Sequence, residues 1–288
     1  MKQIFTFRRA VAALLATAVA GLAVAPVHAQ TFGPGLGTAL VNGSNSFVTN
    51  AEPGQTFSQR MRVSNGTTSR REVQLYAGAA WLENGTLVDD AAGGSNALTQ
   101  WVSLENNRVS LAAGGSTELD FSITVPRSAP DSELHAVIWA ETGSARSGVR
   151  VRLDVAGDNG PAPTFAVDGL RPSRLTNGDF TIGLVTRNTG PLSATMSGAI
   201  RLLDGPGSAW IPDSLVPPTV VEPRTTTTVS VPMGAGADLA AGPWSARGYV
   251  HNGYSRVRID QPVSFPELLP PSPGGSATGS LGSLGSSG

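Results

Sequence analysis

Nucleophilic or acid–base catalysis needs partner groups held within reach of one another, and this chain supplies few. It holds three histidines and no cysteine. His28 sits in an N-terminal leader, which leaves His135 and His251 in opposite halves of the chain. No Gly-x-Ser-x-Gly turn follows a strand and opens a helix, so a hydrolase nucleophile has no place to stand. Zinc asks for three or four ligands at close spacing, and two distant imidazoles do not provide them. His135 reads as a sheet-face residue. The expectation is a non-enzymatic protein with no cofactor.

Four oxygen-bearing residues, Asp154, Asp158, Asn159 and Asp168, bracket a break in the pattern near the middle of the chain. They could gather calcium between two domains. Their spacing matches no known calcium loop, and Asp and Asn are ordinary linker residues. Five tryptophans (Trp81, Trp101, Trp139, Trp210 and Trp244) offer rings for stacking on sugars. Trp139 and Trp244 lie within strand runs and are assigned to the core. Trp81 and Trp101 flank the Gly/Asn-rich stretch Asp89 to Asn96 and are the better surface candidates, although even for these two, filling the space between sheets is the favoured role. That stretch is a recognition loop or an excursion without one. Arg60, Arg62, Arg150 and Arg152 alternate on two strands. They make a basic stripe for an anionic polymer or, the preferred reading, a solvated face that discourages edge pairing.

The elements that would position these residues are strands. Thr117, Leu119, Phe121, Ile123 and Val125 alternate with Glu118, Asp120, Ser122 and Thr124, a period of two with one apolar and one wet face. Leu134 to Glu141 follows with both faces largely apolar, as in a central strand. Similar runs recur at Gly37 to Val41, Phe47 to Thr49, Thr56 to Ser64, Glu72 to Leu82, Trp101 to Leu104, Arg108 to Leu111 and Ser147 to Val155. Asn84-Gly85 is the strongest hairpin signal. Residues Gly157 to Pro163 then break every pattern. Strands resume at Thr164 to Leu170, Phe180 to Asn188, Ala194 to Leu203, Thr225 to Val231, Trp244 to His251 and Tyr254 to Phe265. Asn177-Gly178 and Asn252-Gly253 supply turns. No run of a dozen residues has a clean helical period. The fold class is therefore all-β, two tandem immunoglobulin-like sandwiches.

Lys2, Arg8 and Arg9 precede an apolar run and small residues before Ala29, the pattern of a signal peptide over 1–29 with a mature start at Gln30. The run is short for a membrane span, and the mature chain offers no other. Without those three cations, 17 of the 20 basic residues face 21 acidic ones. Neither half has the basic excess that phosphate binding needs, which argues against nucleic acid. The domains are then 30–157 and 158–265, followed by a disordered Pro/Gly/Ser tail at 266–288.

Some of these runs carry a family resemblance. Thr56 to Asn65, Val73 to Ala77, Trp101-Val102, Phe121 to Pro126 and Ala129 to Glu141 resemble the N-terminal domain of the WxL-interacting protein family, in its actinobacterial form. Asn188-Thr189-Gly190, Met196-Ser197-Gly198 and Gly242-Pro243-Trp244 are similar to its second immunoglobulin-like domain. The resemblance implies an exported surface protein whose first domain associates with peptidoglycan and whose second associates with partner proteins or host components. It supplies no catalytic residue. The membrane helix usual at the end of that family does not follow Phe265.

The expected function is a secreted or wall-associated binding protein that engages peptidoglycan, another wall glycan or a surface protein, with Trp81 and Trp101 as ligand-binding candidates. The alternative is an exported, chaperone-like assembly factor that adds a β-strand to a client. Pilus chaperones hold the client carboxylate with an Arg and a Lys, and the mature chain has no lysine.

Overall fold

The computed structural model describes residues 35–90, 94–175, 179–234 and 240–267. The expected leader, the Asn177-Gly178 turn and the tail from residue 268 lie outside the described residues.

The first half folds as β1 (Leu36–Leu40), β2 (Ser46–Ala51), β3 (Thr56–Asn65), β4 (Arg71–Glu83), β5 (Thr86–Asp89), α1 (Ala97–Trp101), β6 (Val102–Leu104), β7 (Arg108–Leu111), β8 (Ser116–Thr124), β9 (Ser132–Thr142) and β10 (Ala145–Val155). One sheet has the order β1-β3-β8-β6; the other runs β2-β10-β9-β4-β5, with β7 also on β4. The period of two in β8 does what it implies. Leu119, Phe121 and Ile123 are buried, while Asp120 and Glu118 turn outward to Arg60 and Arg62 on β3. Asn84 and Gly85 both take positive φ, 50° and 77°, and close the β4–β5 hairpin as the dipeptide demands.

The chain's first two strand runs go to different sheets. β1 pairs antiparallel with β3, a turn closes with the Leu40 N–H on the Ser44 carbonyl, and β2 then runs parallel to β10 in the opposite sheet. Met61, Ile123, Ile138 and Leu153 fill the space between the sheets.

The second half holds β11 (Phe165–Arg174), β12 (Phe180–Asn188), β13 (Ala194–Leu203), β14 (Ile211–Val221), β15 (Thr226–Gly234), β16 (Trp244–His251) and β17 (Arg256–Val263). Sheets β11-β12-β15 and β14-β13-β16-β17 enclose Phe180, Ile182, Met196, Ile200 and Trp244. The fold is all-β, two immunoglobulin-like sandwiches in tandem.

Two elements depart from the sequence expectation. Trp101 ends a short helix instead of starting a strand. The helix begins with a capping box, in which Asn96 accepts from the Thr99 N–H and the Thr99 hydroxyl accepts from the Asn96 N–H. At five residues it is too short to show a period. β14 is not among the strands that the sequence pattern marks, and it contains Pro212, Pro217 and Pro218. It is an edge strand, where a missing N–H costs no ladder bond.

Candidate functional site

The aromatic candidates move. Trp81 is 6% exposed and lies in the joint between the sandwiches, its Nε1–H donating to Asp90 at 2.8 Å. Arg256 of β17 passes 5.4 Å from its ring, and His251 tilts against it at 5.5 Å. Trp101 is half-buried against the first core. Neither presents a free ring to solvent, and both take the packing role rather than the surface one. Each packs because it sits where α1 and the end of β4 meet other elements. Trp139, expected inside, lies on the outer face of its sheet. Gly148 on β10 leaves room for the indole, since a Cβ there would stand 2.7 Å from it. The Arg146 guanidinium then covers the ring at 3.5 Å. Trp244 is in the core, and Trp210, 66% exposed, is the ring that faces water.

The described residues of the stretch from Asp89 to Asn96 contact the joint. Asp90 binds Arg256 as well as Trp81, and the Ala79 N–H donates to the Gly94 carbonyl. Residues 91–93 lie outside the described residues. Next to it, a cleft of about 290 Å³ opens between the sandwiches, lined by Glu83, Glu133, His135, Tyr254 and Arg256 among others. His135 bonds Glu133 at 2.8 Å. Arg256 is 2% exposed and is held by both Glu83 and Asp90, so its charge is already answered. Burial pushes the His251 imidazole below its ordinary value, with Asp90 opposing and Arg256 assisting.

The polar residues around the linker are committed elsewhere. Asp168 forms a two-pronged pair with Arg187, which holds its carboxyl below the usual range. Asp154 pairs with Arg152 at 3.2 Å. The Asn159 amide donates to the Arg127 and Ala129 carbonyls. A calcium site is not assembled, and among the described residues no group of three His, Cys, Asp or Glu side chains is placed to hold a metal. Three of the four stripe arginines are paired: Arg60 meets Asp120, Arg62 meets Glu118, and Arg152 meets Glu133 and Asp154, while Arg150 is exposed beside Ser46.

What remains distinctive is the edges. Every edge strand of the second sandwich contains proline: Pro172 in β11, Pro212, Pro217 and Pro218 in β14, Pro232 in β15 and Pro262 in β17. Its inner strands β12, β13 and β16 contain none. Proline on an edge removes the donor that an incoming strand would use. No strand of the first sandwich has proline, and its edges are blunted by other means. β6 spans only three residues, β5 carries Asp89, and β7 carries Arg108. β1 lies against β10, with the Thr38 and Ser147 hydroxyls bonded at 2.9 Å. β2 has neither charge nor proline over six residues, Ser-Phe-Val-Thr-Asn-Ala.

The direction of each β2 backbone group follows from its ladder. The Arg150 N–H donates to the Asn45 carbonyl and the Ala156 N–H to the Ala51 carbonyl. Residues 45, 47, 49 and 51 therefore face β10, and Ser46, Val48 and Asn50 turn their N–H and C=O to the open side. The Ser44 hydroxyl accepts from the Ser46 N–H at 3.1 Å and donates to the Ser46 carbonyl at 2.8 Å. The Thr49 hydroxyl donates to the Asn50 carbonyl at 3.1 Å. These hydroxyls stand where a neighbouring strand would be. Val48, 60% exposed, keeps both its N–H and its C=O toward the open edge.

No family model matches this sequence, and no curated protein does. Among solved structures, the chain is similar to a family 123 glycoside hydrolase from Clostridium perfringens, at 10% identity and a TM-score of 0.34 over 43% of this chain. That match spans only 27% of the hydrolase. It is also similar to the CupB2 chaperone of Pseudomonas aeruginosa, at 15% identity and TM-score 0.27 over 76% of this chain and 97% of that one. A third is the CsuC–CsuE chaperone–tip adhesion subunit complex of Acinetobacter baumannii, at 11% identity and TM-score 0.28 over 77% and 96%. These are distant likenesses, and no chemistry of this chain follows from them.

Proposed function

We propose that this chain is an exported, non-enzymatic binding protein that takes up an extended segment of a partner protein by strand addition at the outer edge of β2. The observation that supports this reading is the contrast in edges. Proline marks each edge of the second sandwich, whereas β2 offers an uncharged ladder with Val48 at its centre. Strand addition draws affinity from main-chain hydrogen bonds and specificity from alternate side chains. The Ser44 and Thr49 hydroxyls answer the Ser46 backbone groups and the Asn50 carbonyl when the edge is empty and can be displaced, which lowers the cost of waiting.

The mode differs from that of a pilus chaperone. A clamp on a client carboxylate needs unanswered cations, and Arg256 in the cleft is held by two acids. Residence at a cell wall, which the WxL resemblance implies, belongs to the same proposal, with the partner a surface protein. The test pairs the full chain and its Val48→Pro variant with an array of synthetic uncharged decapeptides rich in Val, Ile and Thr. Amide exchange at Val48 is the readout. Protection of that amide by a bound peptide, and loss of binding in the variant, is the expected result. Equal binding by the variant refutes the reading. Co-sedimentation with insoluble peptidoglycan in the absence of any peptide binding would favour a wall-glycan ligand instead.

A further inference from the structure

We infer that two copies of this chain pair through β2, antiparallel, across a two-fold axis at Val48. The inference rests on the reading that the outer edge of β2 is a pairing surface, and it names one occupant of that surface. In an antiparallel ladder, two residues directly opposite whose backbone groups face each other exchange both N–H···O=C bonds. Val48 opposite Val48 of the second copy meets that condition, because both turn their N–H and C=O outward from β10. The register then sets Ser46 opposite Asn50 of the second copy, and Asn50 opposite its Ser46.

Those partners suit one another. Ser46 and Asn50 are the two other residues whose backbones face the open side, so both close their own bonded pairs. Their side chains share the outer face with Val48, which places polar against polar and valine against valine. On the inner face, Phe47 comes opposite Thr49. The strand holds no charge to repel its own copy. Arg152, which lies beside Val48 on β10, is neutralised by Glu133 and Asp154. The contact is isologous and closes, so it makes a dimer and not a fibre. The two sheets that contain β2 become one continuous sheet. A client strand and a second copy compete for the same hydrogen bonds, and the pairing keeps the edge covered until a client arrives.

The absence of cysteine makes this register directly testable. In full-length protein, Val48→Cys brings two sulfurs onto opposed Cα positions about 5.5 Å apart, within disulfide range. Ser46→Cys alone places its two copies about 14 Å apart, four residues out of register, and so does Asn50→Cys. Mild oxidation is expected to give a covalent dimer with Val48→Cys and none with Ser46→Cys or Asn50→Cys singly. A mixture of the two latter variants should cross-link. Val48→Pro should sediment as a folded monomer where the unaltered chain sediments as a dimer. If Val48→Cys stays monomeric on oxidation, or if all three single variants cross-link alike, the pairing is refuted. Monomeric Val48→Cys combined with peptide binding that Val48→Pro abolishes would sink the pairing alone. In-register cross-linking with peptide binding indifferent to Val48→Pro would sink the client reading and leave the dimer.

Discussion

Arg256 and Glu83, 173 residues apart in the chain, meet in the joint between the sandwiches with Nη2 2.5 Å from Oε1. The guanidinium has 2% of its side chain exposed, whereas Glu83 keeps 27% and Asp90 22%. Removing the cation leaves two carboxylates facing each other in a partly buried place. Arg256→Ala should therefore destabilise the protein by about 2 kcal/mol, less than the 3–5 typical of fully buried pairs because both acids touch water. Urea unfolding of the variant measures the loss. Double replacement of Glu83 and Asp90 by Gln in the same background should recover part of it.

The joint also gives the stability a pH dependence. Burial holds the folded His251 imidazole below the ordinary value of 6.5, so the folded state binds its proton less readily than the unfolded state. The contribution is fully present above 6.5 and is lost as the pH falls through the lower folded value. Between pH 7 and 5, His251→Gln should lose stability less steeply than the unaltered chain, by up to one proton's worth of slope. Chemical denaturation at several pH values measures both slopes. Equal slopes would show that His251 does not supply the effect.

Tyr76 behaves in the opposite sense. Burial first, and then its hydrogen bond to Glu141, push the phenol up to about 12. Its stabilising contribution is complete below the ordinary value of 10.0 and disappears as the pH rises through 12. Alkaline titration followed by phenolate absorbance should show a late component that Tyr76→Phe reduces, burial raising Tyr254 as well. The same variant should lose less stability between pH 10 and 12.

The tryptophan placements separate by quenching. Trp210 is 66% exposed, while Trp81 and Trp244 are 6% and 2% exposed. Iodide should quench a distinct component of the emission, and Trp210→Phe should abolish most of it. Trp81→Ala should leave that component in place and cost about 3 kcal/mol through lost packing at the joint.

The strand periodicities of β8, β9 and β10, and the Asn84-Gly85 turn, were legible because each is a local pattern of φ and side-chain alternation. Trp139 misled because both faces of β9 are apolar, so alternation could not say which face was inside. The answer came from Gly78 and Gly148 on neighbouring strands, whose bare Cα atoms make room for the ring. The edge at β2 was written in the sequence as the run Phe47 to Thr49. What hid it was topology: nothing local says that β1 and β2 part company into opposite sheets. β14 went unread because its three prolines interrupt any alternating run, and only its place at a sheet edge makes them tolerable. The joint was illegible for a plainer reason, since ionic contacts across such sequence separations leave no periodic trace.

The segment between the sandwiches is sewn to the first one. The Gly157 N–H donates to the Asp131 carboxylate, the Asp131 N–H to the Gly160 carbonyl, and the Ala162 N–H to the Asp131 carbonyl. A cut after residue 157 would strip Asp131 of its backbone partners and lay bare the indole of Trp81. An isolated half would display an apolar surface that the whole molecule never shows. Adhesion measured with such a fragment would report the wound and not the protein.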